Sequence, residues 1–141
     1  MSKFDINLAE LQSIRLSSSS FQVLDEDHLF EGGSIRFLCE LTLFDDDKSK
    51  DNTPLEGKCS VNVRAIKPET KDQPLFEADY NYIVFFNVIN HEVLFNLENR
   101  QRADYCLEKI YPLIREDLMS CFDRAGLRQI YLPFSFKVDE D

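Results

Sequence analysis

The run from Asp104 to Phe136, DYCLEKIYPLIREDLMSCFDRAGLRQIYLPFSF, constrains the fold more than any other part of the chain. Apolar residues recur at Leu107, Ile110, Ile114, Leu118, Cys121 or Phe122, and Ala125. Steps of three and four place them on one face of a helix. Arg115, Glu116, Asp123 and Arg124 fall largely off that stripe. Pro112 has no amide proton to give, so the helix either kinks there or restarts with Pro112 in its first turn. Gly126 stands where a left-handed C-terminal cap is wanted. Beyond it Ile130, Leu132, Phe134 and Phe136 alternate with Tyr131, Pro133 and Ser135, the pattern of an extended arm.

A helix with one apolar face needs a second layer, and the upstream chain supplies strands. Leu11 to Leu16 starts one, with Ile14 and Leu16 on even positions. Phe21 and Val23 resume on odd positions, and a bulge or bend within Ser17–Ser20 would switch the face; a serine-rich flexible linker is the competing reading, though four residues is short for one. Ser34 to Phe44 alternates cleanly, with Ile35, Phe37, Cys39, Leu41 and Leu43 on one side. Lys58 to Lys67 is a further strand, preceded by a charged hairpin loop, Asp45 to Gly57, that contains Pro54. Leu75 to Ile89 is a long strand carrying Phe76, Ala78, Tyr80, Tyr82, Val84, Phe86 and Val88 on one face. Ile83 and Phe85 make its far end apolar on both sides, which predicts burial on both sides there. His91 to Asn99 reads as a connector, with Asn99 as a helix cap. Residues 1–10 read as a flexible lead-in and 137–141 as an acidic tail. Four strands joined by short polar loops, then one long helix, predict a single α+β domain with an antiparallel sheet.

At 141 residues one domain is expected. Its 12 Phe and 5 Tyr are more than one sheet and one helix bury in a monomer, so an oligomer, an exposed apolar groove, or both are implied. The net charge of -10 repels phosphate backbones and argues against nucleic acid, while favouring basic partners. Cys39, Cys59, Cys106 and Cys121 form no C-x-x-C pair and have only His28 and His91 for company. Buried thiols in a reducing cytosol fit better than a zinc site. The first ten residues lack the charged and apolar regions of a signal peptide, and no apolar run approaches the ~20 residues that cross a bilayer.

No G-x-S-x-G, Walker, H-E-x-x-H or dinucleotide pattern is present, and no nucleophile–base pair stands at a telling spacing. No cofactor is expected. What remains is apolar surface. Phe37, Leu41 and Leu43 on one strand, with Ile130, Leu132 and Phe134 on the tail, are placed to line a groove between sheet and helix. Such a surface would bury an unfolded chain at about 25 cal/mol per Å² without demanding a sequence. Two competing readings are that the same residues form plain core, and that the chain is a small α+β enzyme or holds a small apolar ligand.

Tyr111-Pro112-x-x-Arg115-Glu116, then Ser120, Arg124 and Gln129-Ile130-x-Leu132-x-Phe134, resembles the long helix and following segment of the SecB chaperones. That family carries an aromatic-Pro-x-x-Arg-Glu run there, then a small-residue break and a Gln-Leu-x-Leu-x-Pro-x-x-Phe segment. Leu11-Gln12-x-Ile14 followed by Ser20-Phe21 is similar to the family's first strand. The resemblance covers about residues 10–136. It implies an ATP-independent, cytoplasmic holdase, assembled as a dimer of dimers, that wraps unfolded polypeptides in apolar grooves. It implies subunit contacts on the last strand and the long helix, at Ala78, Tyr80, Tyr82, Ile114 and Leu118. The role it implies is protein export, or protection of an antitoxin as in one SecB-like subgroup. Export members dock the SecA ATPase on acidic positions that match Ser18 and Gln22 here; only Asp79 keeps a carboxylate. SecA docking is therefore not expected. The shortened C-terminal segment, ending at Asp141, points the same way.

Overall fold

Strand β4 (Pro74–Val88) is the axis of the molecule, with β1 (Ala9–Val23) on one side and β3 (Pro54–Ile66) on the other. β2 (Ser34–Phe44) lies outside β3, giving one antiparallel sheet in the order β1-β4-β3-β2. A short helix α1 (His91–Asn96) and a long helix α2 (Asn99–Arg124) follow. The computed structural model describes residues 7–29, 34–44, 54–66, 74–127, 130 and 132. This is the predicted α+β plan, four strands and then a long helix.

The core lies between one face of the sheet and α2. Every even residue of β4 from Phe76 to Val88 is buried, as are Leu55, Cys59, Val61, Val63 and Ala65 of β3. From α2 they meet Cys106, Leu107, Ile110, Ile114, Leu118, Cys121 and Phe122. Both alternatives at the end of the predicted stripe, Cys121 and Phe122, are inside. Each large apolar side chain so buried contributes about 1.5–3 kcal/mol.

The face switch in β1 is present. The register slips between Leu16 and Ser18, within the serine run, and a second slip lies between Leu11 and Ser13. As a result Leu11, Ile14, Leu16 and Phe21 stand opposite Phe86, Val84, Tyr82 and Ala78, all on the helix side. Without the extra residues their mixed parity would send half of them to solvent.

Five expectations are corrected. β1 starts at Ala9, and Leu8 and Ala9 are buried, so part of the expected lead-in belongs to the core; the amide of Leu8 donates to the Tyr105 hydroxyl at 2.8 Å. β3 begins at Pro54, not Lys58; the first residue of a strand is a position proline tolerates. Residues 91–96 form a helix, N-capped by the Asn90 side chain on the Val93 amide, where alternation of Val93, Phe95 and Leu97 read as a connector. The cap of α2 is Glu98, in a reciprocal box with Gln101, not Asn99. Ile83 and Phe85 are only half-buried in the single chain.

α2 runs unbroken through Pro112, whose ring lies on its exposed side. It stops at Gly126, with φ of +80°. The Leu127 amide donates to the Phe122 carbonyl at 2.7 Å and the Gly126 amide to Asp123 at 3.1 Å. These two bonds, with Leu127 packed inside beside Phe122, make the glycine-centred C-terminal cap that the sequence predicts.

Candidate functional site

β2 is an edge strand, and its inner face meets α2. Phe37 sets its ring edge-on against Tyr111, centroids 5.9 Å apart. Leu41 and Leu43 lean across Gly57 of β3. A Cβ at that position would stand 3.1 Å from a Leu43 methyl and from Val84, and 3.2 Å from a Leu41 methyl. The glycine therefore lets both leucines lie flat, where a side chain would lift them from the sheet. Above them an open cleft of about 520 Å³ separates β2 from the first turns of α2. Cys39, Leu41, Ala103 and Leu107 give it apolar walls, and Glu40, Thr42, Asn99, Arg100 and Asp104 the polar ones.

The other face of β2 adds to the apolar surface. Leu38 and Phe44 are each 56% exposed, and Ile35 of the inner face is 40% exposed. Among the described residues no strand pairs with β2 on its outer side. An edge of this kind offers main-chain donors and acceptors to an added strand, beside apolar side chains that reward its docking.

The six expected groove residues divide. Phe37, Leu41 and Leu43 share one half-buried face, and Leu41 lines the cleft. Leu132 is 3% exposed and belongs to the core, its carbonyl accepting from Arg115 Nε at 3.1 Å. Ile130 is half-buried beside the same core. Phe134 lies outside the described residues. The tail as described is thus packed against the C-terminal half of α2, and the opposite wall of the cleft comes from Asn99–Leu107 instead. The sequence reading started the helix after Asn99 but took the second wall of the groove from the tail, because the alternating Ile130, Leu132 and Phe134 offered the more apolar surface.

The five expected subunit contacts are consumed within the chain. Ala78, Tyr80, Tyr82, Ile114 and Leu118 range from 0% to 7% exposed and form the sheet–helix core. Side chains so enclosed have no area left for a second subunit. Tyr82 donates its hydroxyl to Asp117 Oδ2 at 2.9 Å. Burial first, and then that bond, push its phenol well above the ordinary range. Tyr80 is raised in the same way, by burial and by its contact with Cys121. The faces alternate correctly in the sequence reading; which partner covers the inner one is what periodicity leaves open.

The sheet's outer face is polar at its middle. Asn81 bridges Ser18 and Ser60 by bonds of 3.0 Å each. Asn62 donates to Asp79 at 2.7 Å and to Glu77 at 3.2 Å. Ser18 and Gln22, both exposed, bring no charge to this face beside Asp79. Among the described residues no group of three or more His, Cys, Asp or Glu is placed to hold a metal ion. Among the same residues no helix is long and apolar enough to cross a membrane.

A four-stranded antiparallel sheet followed by one long helix on its inner face is the SecB-like chaperone fold. Among solved structures the chain is similar to the Mycobacterium tuberculosis Rv1957 SecB-like chaperone in complex with a ChAD peptide from the Rv1956 HigA1 antitoxin. The match covers 89% of each chain with a TM-score of 0.64 at 19% identity. No protein-family model and no curated protein sequence matches the chain.

Proposed function

We propose that this chain is a SecB-like holdase chaperone that binds unfolded polypeptides, without ATP, at the cleft between β2 and α2. The observation that carries this reading is an open cleft with apolar and polar walls, beside a strand edge that no described residue pairs with, on a fold of which one solved neighbour is in complex with an antitoxin peptide. An extended chain would pair with β2 and set alternate side chains over Leu41 and Leu107, while Glu40, Arg100 and Asp104 stay hydrated at the rim. The binding is broad because apolar burial and main-chain pairing ask for no particular sequence. A small-ligand site would need closed walls, and this cleft opens to the surface.

The client is an antitoxin or an export substrate. The antitoxin reading is favoured by the peptide bound to the solved neighbour. SecA docking is not part of the proposal, since Ser18 and Gln22 supply no carboxylate and exposed ion pairs contribute only about 0.2–1 kcal/mol each. A cytoplasmic homotetramer, a dimer of dimers, is proposed as the working form. The area for it is the apolar surface still free in the single chain, which includes Leu16 of β1 and Leu113 of α2. The test is light scattering of a denatured model protein diluted into buffer without nucleotide. Suppression of aggregation at stoichiometric amounts is expected; no suppression at a fivefold excess rejects the reading.

A further inference from the structure

Cys39 of β2 and Cys59 of β3 bring their sulfurs to 3.6 Å, with both side chains buried. Cys39 pairs in register with Val61 and Cys59 with Leu41, so the two thiols are diagonal neighbours on the inner face. Cys39 also lines the β2–α2 cleft. Cys39 therefore borders the cleft, and Cys59 stands behind it, fully enclosed.

We propose that Cys39 and Cys59 are a reversible dithiol–disulfide pair built into the wall of the cleft, and that closing the bond changes the cleft's shape. The oxidant is a small disulfide such as glutathione disulfide. The Cys39 thiolate attacks one of its sulfurs, forming a mixed disulfide and expelling one glutathione thiolate. The Cys59 thiolate then attacks Cys39 Sγ, forming the Cys39–Cys59 bond and expelling the second. Two thiol protons leave the protein and end on two glutathione thiols. The protein loses two electrons and the glutathione disulfide gains them.

Geometry links this chemistry to the cleft. Diagonal neighbours on antiparallel strands stand roughly 7–8 Å apart, whereas a relaxed disulfide spans about 4.4–6.8 Å between Cα atoms. The sulfurs must close from 3.6 Å to about 2.05 Å. β2 must therefore shift toward β3, carrying Leu41 with it. β2 is the strand able to do so, since among the described residues it pairs with β3 alone. A bond formed under such strain is readily reduced, as reversible disulfides are. The hydrogen bond to Cys39 and burial both push the Cys59 thiol up, which makes the second step slow and disfavours idle oxidation.

The test uses the full chain incubated with glutathione disulfide at pH 8, then alkylated and mapped by mass spectrometry. The expected product is a Cys39–Cys59 cross-link, with Cys106 and Cys121 alkylated, and with all four thiols recovered after dithiothreitol. Retention of four alkylatable thiols after a day, or a link through Cys106 or Cys121 instead, overturns the proposal. In C39A the two-thiol loss should vanish; if it persists, the pair is wrongly assigned. Hydrogen exchange at the β2 amides should differ at least tenfold between oxidised and reduced chains, and equal exchange refutes the coupling to the cleft. The effect on polypeptide affinity, an expected loss of threefold or more on oxidation, rests on the proposed function. If neither form binds polypeptide while the cross-link and the exchange change are present, the functional reading fails and the redox pair stands.

Discussion

Arg102 joins the two helices. It is 7% exposed, and its guanidinium donates to the carbonyls of Leu94, Phe95 and Leu97 and to Asn99 Oδ1 over 3.0–3.4 Å. The same group lies 4.5 Å above the Phe95 ring. It therefore satisfies the carbonyls left open at the end of α1 and places a cation at that negative terminus. R102M should lower unfolding free energy by about 2–4 kcal/mol, because several buried acceptors lose their donor at once. R102K should recover little, since a single ammonium cannot reach acceptors arranged for a planar fork. Urea unfolding followed by circular dichroism measures both. At this scale pH also acts. Tyr82, Tyr80 and Tyr111 are all raised above the ordinary phenol value near 10, burial being the first cause for each. Above pH 10 the unfolded chain gives up these protons while the folded chain keeps them, so folding binds more protons and stability falls as pH rises. Stability should begin to fall near pH 9, where the unfolded Cys59 thiol ionises and the folded one keeps its proton, and fall more steeply beyond about 10. Y82F should make the drop shallower, as read from thermal midpoints across that range.

The elements show how far periodicity reaches. β2 was legible to the residue, and β4 within one, because their alternation is clean and their ends carry Pro, Gly or charge. β1 was legible in its logic, since the change from even to odd apolar positions required an extra residue in the serine run. β3 lost its first four residues to Pro54, which reads as loop by composition but sits at a strand's first position. α1 went unread because Val93, Phe95 and Leu97 alternate like a strand, whereas Asn90 and Arg102 fix a helix through bonds that sequence spacing does not announce. Pro112 is the remaining oddity of α2. It removes the rung to the Glu108 carbonyl in an exposed stretch of helix, a position where proline costs up to about 3 kcal/mol relative to alanine. P112A should therefore stabilise the chain by 1–3 kcal/mol on those terms, measurable as a higher urea midpoint at unchanged slope. G126A should do the reverse by about 1–2 kcal/mol, since no atom crowds the site and only the left-handed backbone opposes a side chain.

At the scale of the molecule, one face of the sheet is spent on α2, and the binding surface proposed above lies at its β2 end. The sequence reading placed Phe37, Leu41 and Leu43 together on β2, on the face that the structure turns toward α2. It assigned the opposite wall to the tail, and it offered core residues as subunit contacts, because an apolar stripe looks alike whether its cover is the same chain or another. Leu41 is the point where this account is most exposed: half-buried, on the cleft and next to the free edge. The measurement is the binding isotherm of a fluorescent, permanently unfolded polypeptide to the wild type and to L41D, without nucleotide, with circular dichroism confirming that both are folded. A carboxylate there must be desolvated when an apolar segment docks, at a cost of several kcal/mol. The account predicts wild-type binding that L41D weakens at least tenfold. Equal affinity in the two folded proteins contradicts it.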